Sequence, residues 1–161
     1  MTSPALDTLP PPQLEHVCDL AVTIAPPVEV GQTVAGLRRM IPITGGVVKG
    51  PRLNGKVLAG GADFQLILAG GTQAHLDARY VIELDDGTRV FVQNSALRVA
   101  SLENSQRIMR GEPVNPAEVY FRCQPQLEAA GETWAWLAES QFIGCGRRAP
   151  DGVFLSFYRV C

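Results

Sequence analysis

Charged side chains suited to acid–base chemistry occupy alternate positions in several predicted strands. Asp63 and Gln65 are two residues apart, and Arg122 and Glu128 share one strand face, as period two requires. A carboxylate whose pKa is raised by partial burial can act as a general base. A guanidinium group can bind a carboxylate or stabilise a developing oxyanion. Asp63, Arg79 and Glu128 are therefore candidate catalytic residues, and Arg122 is a candidate ligand-binding residue.

Tyr80 and Arg79 are adjacent in a strand predicted over Ala74–Leu84, and so they lie on opposite faces. The face of Tyr80 is apolar and the face of Arg79 is polar, a pattern that solvent exposure of the polar face also explains. Within a barrel, either face can line the lumen. The sequence leaves open whether Tyr80 binds a ligand or Arg79 takes part in catalysis.

The segment GPRLNGKV, Gly50–Val57, resembles a phosphate-binding P-loop, but three features argue against that interpretation. Val57 replaces the hydroxyl residue that would contact magnesium. Pro51 lacks one of the backbone N–H groups that a phosphate nest uses. The residues that follow favour a strand over the helix that a P-loop opens. We predict glycines placed for bends and close backbone contacts, with Lys56 in solvent.

The composition indicates a globular chain. It has 161 residues, of which 46% are hydrophobic and 19% charged, with a net charge of −2. The absence of a basic run or a long apolar segment argues against nucleic acid and membrane partners. Four cysteines without a C-x-x-C pair predict free thiols in the cytoplasm and no metal site. A disulfide between two of them is left open by the spacing.

Sixteen glycines and twelve prolines separate short apolar runs, which predicts many strands and few helices. One helix is predicted over Leu102–Arg110, with Ser101 as its N-cap and Gly111 after its end. Asp85-Asp86-Gly87-Thr88 and Ala149-Pro150-Asp151-Gly152 are predicted hairpin turns. Residues 1–12 form a proline-rich lead-in, and 13–161 form one all-β domain, which we expect to be a single antiparallel β-barrel. The predicted strands are Leu14–Ala25, Gly36–Val48, Gly55–Leu58, Phe64–Ala69, Ala74–Leu84, Arg89–Val99, Val119–Leu127, Thr133–Gly144 and Val153–Val160.

An ordered set of segments resembles a bacterial family known only as domain of unknown function 3237, or uncharacterised protein family 0311. The segments are GLRRMIPITGG, GPRLNGKVLAGGADFQ, LDARYVIELDDGTRVFV, YFRCQPQLEA, WAWLAESQFIGCG and VFLSFYRV. The resemblance covers nearly the whole chain after the prolines. It implies a barrel similar to those of allene oxide cyclase and dirigent proteins, and it implies no settled activity.

The resemblance also suggests which residues belong to a site. The matching positions are Arg38, Arg39, Gly60, Gly61, Asp63, Asp77, Arg79, Tyr80, Tyr120, Arg122 and Glu128. Two positions depart from the family pattern. Phe64 stands where tryptophan is usual, and Ala138 stands where asparagine is usual, so a ligand contact made by that asparagine would be missing here.

Three hypotheses follow for function. The first is a module that binds a small organic molecule, with Arg38, Arg122, Tyr80 and Trp136 as ligand-binding residues. Trp134, Trp136 and Phe142, placed on one predicted strand face, would form a stacking wall, although core packing explains them equally simply. The second hypothesis is an isomerase, cyclase or lyase without a cofactor, acting on a small carbonyl or enol compound. The third treats the charged residues as structural ion pairs. A homodimer is left open.

Overall fold

The computed structural model describes residues 6–161, which contain ten strands and one α-helix. The first five residues of the predicted lead-in lie outside the described residues. The elements are β1 (Leu14–Ile24), β2 (Val28–Thr33), β3 (Gly36–Lys49), β4 (Gly55–Val57), β5 (Ala62–Leu68), β6 (Gln73–Leu84), β7 (Arg89–Val99), α1 (Leu102–Met109), β8 (Tyr120–Ala129), β9 (Gln141–Ala149) and β10 (Gly152–Val160). Short 3₁₀ turns occur at Ala69–Gly71, Pro116–Glu118 and Glu132–Leu137.

The strands form a closed antiparallel barrel with eight strand positions and two extra strands. Pairing runs from β1 through β10, β9, β8, β7 and β6 to β4 and β5, which both pair with β3, and β3 closes the barrel on β1. β4 and β5 share the position between β3 and β6, while β1 and β2 pair with successive halves of β3. The predicted all-β barrel is confirmed.

Helix α1 and the two predicted hairpin turns are present. The Ser101 hydroxyl accepts a hydrogen bond from the backbone N–H of Asn104 at 3.1 Å, and Gly111 follows the helix with φ +75°. Gly87 has φ +86° in the turn between β6 and β7, a conformation that glycine adopts without steric cost. The helix is eight residues long, and no helix within residues 6–161 is long and apolar enough to span a bilayer.

Strand β2 was missed by the sequence analysis. It follows Pro26 and Pro27, and Gly31 in its middle has φ +103° at a shift in register against β3. Prolines and an internal glycine weaken strand signals, because proline lacks an N–H and glycine marks a bulge. Hydrogen bonding to β3 stabilises this strand although its local sequence does not favour one.

The predicted strand Thr133–Gly144 is confirmed only from Gln141 onward and is wrong before that residue. Residues Glu132–Leu137 form a 3₁₀ segment, and β9 begins only at Gln141. Trp134 and Leu137 are three residues apart, so a 3₁₀ turn directs both toward the barrel, where Leu137 is buried. This apolar segment closes the end of the barrel at which β7 and β9 begin, which we call the closed end.

The segment GPRLNGKV packs where β3, β4 and β6 meet. Gly55–Val57 form β4, and a Cβ at Gly55 would clash with the carbonyl oxygen of Glu83. The glycine therefore permits a close backbone contact, as predicted. Lys56 is exposed and forms an ion pair with Glu83 at 3.1 Å.

The interior of the barrel differs between its two ends. The closed end is filled by apolar side chains, including Val17, Leu20, Leu53, Ile82 and Phe157. At the opposite end, from which α1 departs after β7, polar side chains and a cavity replace part of this packing. We call this the α1 end. The free thiols of Cys18 and Cys123 are buried, that of Cys145 is partly buried and that of Cys161 is exposed.

Candidate functional site

Cross-strand pairing places the polar interior residues in rows across neighbouring strands. Asp63 on β5 pairs with Ala78 on β6, which pairs with Asn94 on β7. Directly paired residues point to the same side of a sheet, so this row faces the lumen. Tyr80 lies on the same face two residues beyond Ala78, toward the closed end, and Arg98 lies four residues beyond Asn94, toward the α1 end. The register thus brings groups from three strands into one interior.

A cavity of about 60 Å³ opens among these rows and reaches solvent. Ala78 and Ala96 leave room for it because their side chains are small. The volume suits several water molecules or one end of a small organic molecule. The cavity is lined by Val22, Ile24, Ile41, Ile43, Asp63, Gln65, Leu76, Ala78, Tyr80, Asn94, Ala96, Arg98, Phe121, Arg148, Val153 and Leu155.

Asp63 is the acidic side chain that lines this cavity. Its Oδ2 accepts a hydrogen bond from Gln65 Nε2 at 2.8 Å, and its Oδ1 accepts one from the backbone N–H of Asp77 at 3.1 Å. Burial raises the pKa of Asp63 to about 6, although the Gln65 hydrogen bond and the charge of Arg98 oppose this rise. A carboxyl with this pKa can both release and accept a proton near neutral pH.

Two residues that line the cavity each have a buried polar atom with no hydrogen-bond partner among the described residues. The hydroxyl oxygen of Tyr80 and the Oδ1 atom of Asn94 are both buried. Burial raises the pKa of the Tyr80 hydroxyl, which therefore remains protonated and able to donate. Buried polar atoms in proteins are nearly always paired, so these two are suited to a ligand or to water.

Arginine side chains from separate strands gather toward the α1 end. Arg98 on β7 is buried, and burial lowers its pKa to about 10, with further contributions from the charges of Arg148 and Arg39. Burial also lowers the pKa of Arg148, whose Nη1 donates a hydrogen bond to the carbonyl of Gly152 at 3.0 Å. Arg39 on β3 is buried and pairs across the sheet with Gln65. Among the described residues that line the cavity, two guanidinium groups, those of Arg98 and Arg148, outnumber the one carboxylate of Asp63.

The structure brings only some of the predicted site residues together. Asp63 and Tyr80 line the cavity, which resolves the choice between the faces of β6 in favour of Tyr80. Arg79 points outward, with 55% of its side chain exposed, and contacts Asp77 at 3.3 Å. Arg122 and Glu128 are exposed on β8. The candidate residues Arg79, Arg122 and Glu128 therefore do not join Asp63 in one site, because all three occupy the outer faces of their strands.

Two further predicted ligand-binding residues also lie outside the lumen. Arg38 is exposed on β3, next to the inward-facing Arg39. Trp136 lies at the closed end in the 3₁₀ segment, with its ring centroid 6.0 Å from that of Phe142. The guanidinium carbon of Arg52 lies 4.6 Å from the Trp136 ring centroid, a cation–π arrangement. The predicted stacking wall on one strand is thus replaced by packing that closes the barrel.

Sequence reasoning missed Asn94, Arg98 and Arg148 as lumen residues. A signal was present on β7, where Val90, Val92, Asn94, Ala96 and Arg98 alternate with outward positions and share a face with the core. A charged residue in register with apolar ones indicates a group directed inward. The position of Arg148 near the end of β9 offers no such pattern, because its direction depends on pairing with β10.

The fold and the cavity define a class of protein: a closed antiparallel barrel with a small lumen that is apolar in its walls and rich in arginine at one end. Residues 12–160 match the family described as "Protein of unknown function (DUF3237)", and the chain belongs to this family. The resemblance noted in the sequence is therefore confirmed.

Known relatives agree with this assignment. A UPF0311 protein of Clostridium acetobutylicum is 37% identical over 91% of this chain and 92% of its own length. A UPF0311 protein of Rhodopseudomonas palustris strain TIE-1 is 38% identical over 98% of this chain and 99% of its own.

Solved structures show the same fold. The crystal structure of a conserved protein of unknown function from Rhodopseudomonas palustris has a TM-score of 0.88 and 35% identity, and covers 95% of this chain and 100% of that one. A β-barrel-like protein from Acinetobacter baumannii has a TM-score of 0.83 and 35% identity, and covers 96% of this chain and 99% of that one.

A shorter sequence match, 34% identical over 53% of this chain and 56% of the relative, is to the hydroalkoxylation enzyme phnH of Penicillium herquei.

Proposed function

We propose that this protein binds a small organic molecule in the lumen of its barrel. The observation that carries the proposal is the pair of unpartnered buried atoms, Tyr80 Oη and Asn94 Oδ1, beside a cavity with mainly apolar walls. Small-molecule sites combine an apolar lining with a few polar groups that orient the ligand. Eight-stranded barrels are wide enough to hold one such molecule. The free thiols suit the cytoplasm as the compartment.

A screen of small organic fragments by ligand-observed NMR tests this proposal. Ala96→Leu places a larger side chain in the cavity, while Ser95→Leu adds the same side chain to the outer face of the same strand. We expect fragments that bind the wild-type protein and Ser95→Leu but not Ala96→Leu. Circular dichroism of both variants checks that the barrel is retained. Fragment binding that survives Ala96→Leu, or its absence in the wild-type protein, would refute the proposal.

A second candidate function is acid–base catalysis on the bound molecule. The observation that favours it is the pKa of about 6 for Asp63, a value at which one carboxyl can exchange protons at physiological pH. The match to a protein named as a hydroalkoxylation enzyme supports this candidate, because adding an O–H group across a double bond requires proton movement. In this role Asp63 transfers the proton and the Tyr80 hydroxyl donates a hydrogen bond to the reacting oxygen.

Substitution of Asp63 separates binding from catalysis. Fragments found in the screen that contain an enol or an activated alkene are incubated with the wild-type protein and with Asp63→Asn, and turnover is followed by NMR. Turnover that disappears in Asp63→Asn, with binding retained, supports catalysis. Equal turnover in both proteins would exclude Asp63 as the proton-transfer group.

A further inference from the structure

Arg98 is a buried cation without a direct counter-ion. Its exposed fraction is 5%, and the ion pairs formed among residues 6–161 do not include it. The carboxylate of Asp63 acts on the Arg98 charge from a longer distance than an ion pair. A buried charge is costly unless it is paired. The position of Arg98 on the cavity wall allows a ligand to provide the missing partner.

The neighbouring positive charges make a negatively charged partner for Arg98 still more favourable. Arg148 also lines the cavity, and the positive charges of Arg39 and Arg148 each act on Arg98. Arg39 forms an ion pair with Glu29, with 3.6 Å between its Nε and Glu29 Oε1, so Glu29 offsets part of its charge. Within residues 6–161, Asp63 is the one acidic residue that lines the cavity, against Arg98 and Arg148, so the cavity lining has an excess of positive charge at neutral pH. The charge of Asp151, outside this lining, acts on Arg148.

The remaining walls of the cavity indicate which other chemical group the ligand contains. From Arg98 toward the closed end, the inward residues are Ala96 and Asn94 on β7 and Leu76 and Ala78 on β6. This surface is apolar apart from the Asn94 amide, and it is too narrow for a large ring system because the cavity measures about 60 Å³. A short apolar chain fits this region, with its charged end at the arginines.

We propose that the ligand is a small organic anion, a monocarboxylate in its simplest form, whose acidic group binds Arg98 and Arg148 while its apolar part contacts Ala78 and Ala96. This inference rests on the proposed lumenal binding and adds the chemical class of the ligand. A guanidinium group binds a carboxylate through two parallel hydrogen bonds, which favours this class over a neutral polar molecule.

Butyrate and butyramide, compared at pH 7 and low salt, test the inference because they differ in charge and little in shape. NMR titration followed at the Asn94 side-chain amide and at Arg98 Nε reports binding in the lumen. We expect butyrate to bind at least about tenfold more tightly than butyramide. Inorganic phosphate provides the charge without the apolar part, and we expect it to bind more weakly than butyrate.

Arg98→Met keeps an apolar side chain and removes the charge, and it should abolish the preference for butyrate. Arg122→Met removes an exposed arginine from the neighbouring strand and should leave the preference unchanged. Arg148→Met provides a second lumen variant should Arg98→Met fail to fold. A preference for butyrate that persists in both lumen variants would overturn the inference.

The two proposals can fail separately. Equal binding of butyrate and butyramide, sensitive to Ala96→Leu, would overturn the inference about charge while supporting lumenal binding. Phosphate binding as tight as that of butyrate would overturn the requirement for an apolar part. Failure of butyrate to bind would overturn the inference, and the proposed function would fail with it only if the fragment screen also gave no hits sensitive to Ala96→Leu.

Discussion

Replacement of Asp63 by asparagine should make the stability of the protein less sensitive to pH. The pKa of Asp63 rises from 3.8 to about 6 on folding, so the folded chain holds a proton that the unfolded chain releases between these values. The free energy of folding that the protonated Asp63 carboxyl contributes is therefore present at low pH and is lost as the pH rises from about 4 to about 6. At 1.36 kcal/mol per pKa unit, the full loss is about 3 kcal/mol.

The hydrogen bonds of Asp63 allow the substitution without a large rearrangement. The Oδ1 atom of asparagine can accept from the Asp77 N–H, as in the wild-type protein. Its Nδ2 would face Gln65 Nε2, so the Gln65 amide must turn to present its oxygen. The difference in unfolding free energy between Asp63→Asn and the wild-type protein, measured at one pH, contains this local cost. Its change with pH isolates the ionisation of Asp63.

Urea unfolding at intervals from pH 4 to pH 8, followed by tryptophan fluorescence, measures this change. Since the unfolded carboxyl is already partly ionised at pH 4, the stability of Asp63→Asn relative to the wild-type protein should increase by about 2 kcal/mol across the range. Asp85→Asn, at an exposed turn position, serves as the matched control. A relative stability that stays constant from pH 4 to pH 8 would refute the reasoning that Asp63 is buried with a raised pKa.

Three further predictions concern stability. Arg98→Met removes a buried charge that has no ion-pair partner among the described residues and should raise the unfolding free energy in ligand-free buffer by about 1–3 kcal/mol in urea titrations; a loss of that size would mean that the guanidinium is structural. Trp136→Ala should cost about 2–3 kcal/mol by the same assay, because the ring packs across the closed end, and fragment binding should persist. Arg79→Ala and Glu128→Ala should each cost about 1 kcal/mol or less, and a double-mutant cycle should show additive effects; strong coupling would contradict their separate exposed positions.

Local patterns were sufficient to predict most of the fold. Period-two alternation identified the long strands β6 and β8, and a glycine in a predicted hairpin marked the turn at Gly87. These features depend on short-range sterics and on the alternation of side chains along a strand, both of which the sequence carries directly. The errors, at β2 and at the 3₁₀ segment Glu132–Leu137, occur where pairing with β3 or packing against the core outweighs local preference.

The site was less predictable than the fold. The sequence separated Tyr80 from Arg79 by face and identified Asp63 as a candidate base. It also named Arg79, Arg122 and Glu128 as candidate site residues without deciding which strand faces point inward. Barrel closure decides which face of each strand points inward, because the pairing of β1 with β10 joins strands from opposite ends of the chain. The same closure places Arg98 and Arg148, from strands separated by about fifty residues, at one end of a common cavity. The sequence by itself determined which residues share a strand face, because side chains alternate between the two faces along a strand. Only the tertiary structure decided which of those faces encloses the lumen, because closure of the barrel determines which face points inward.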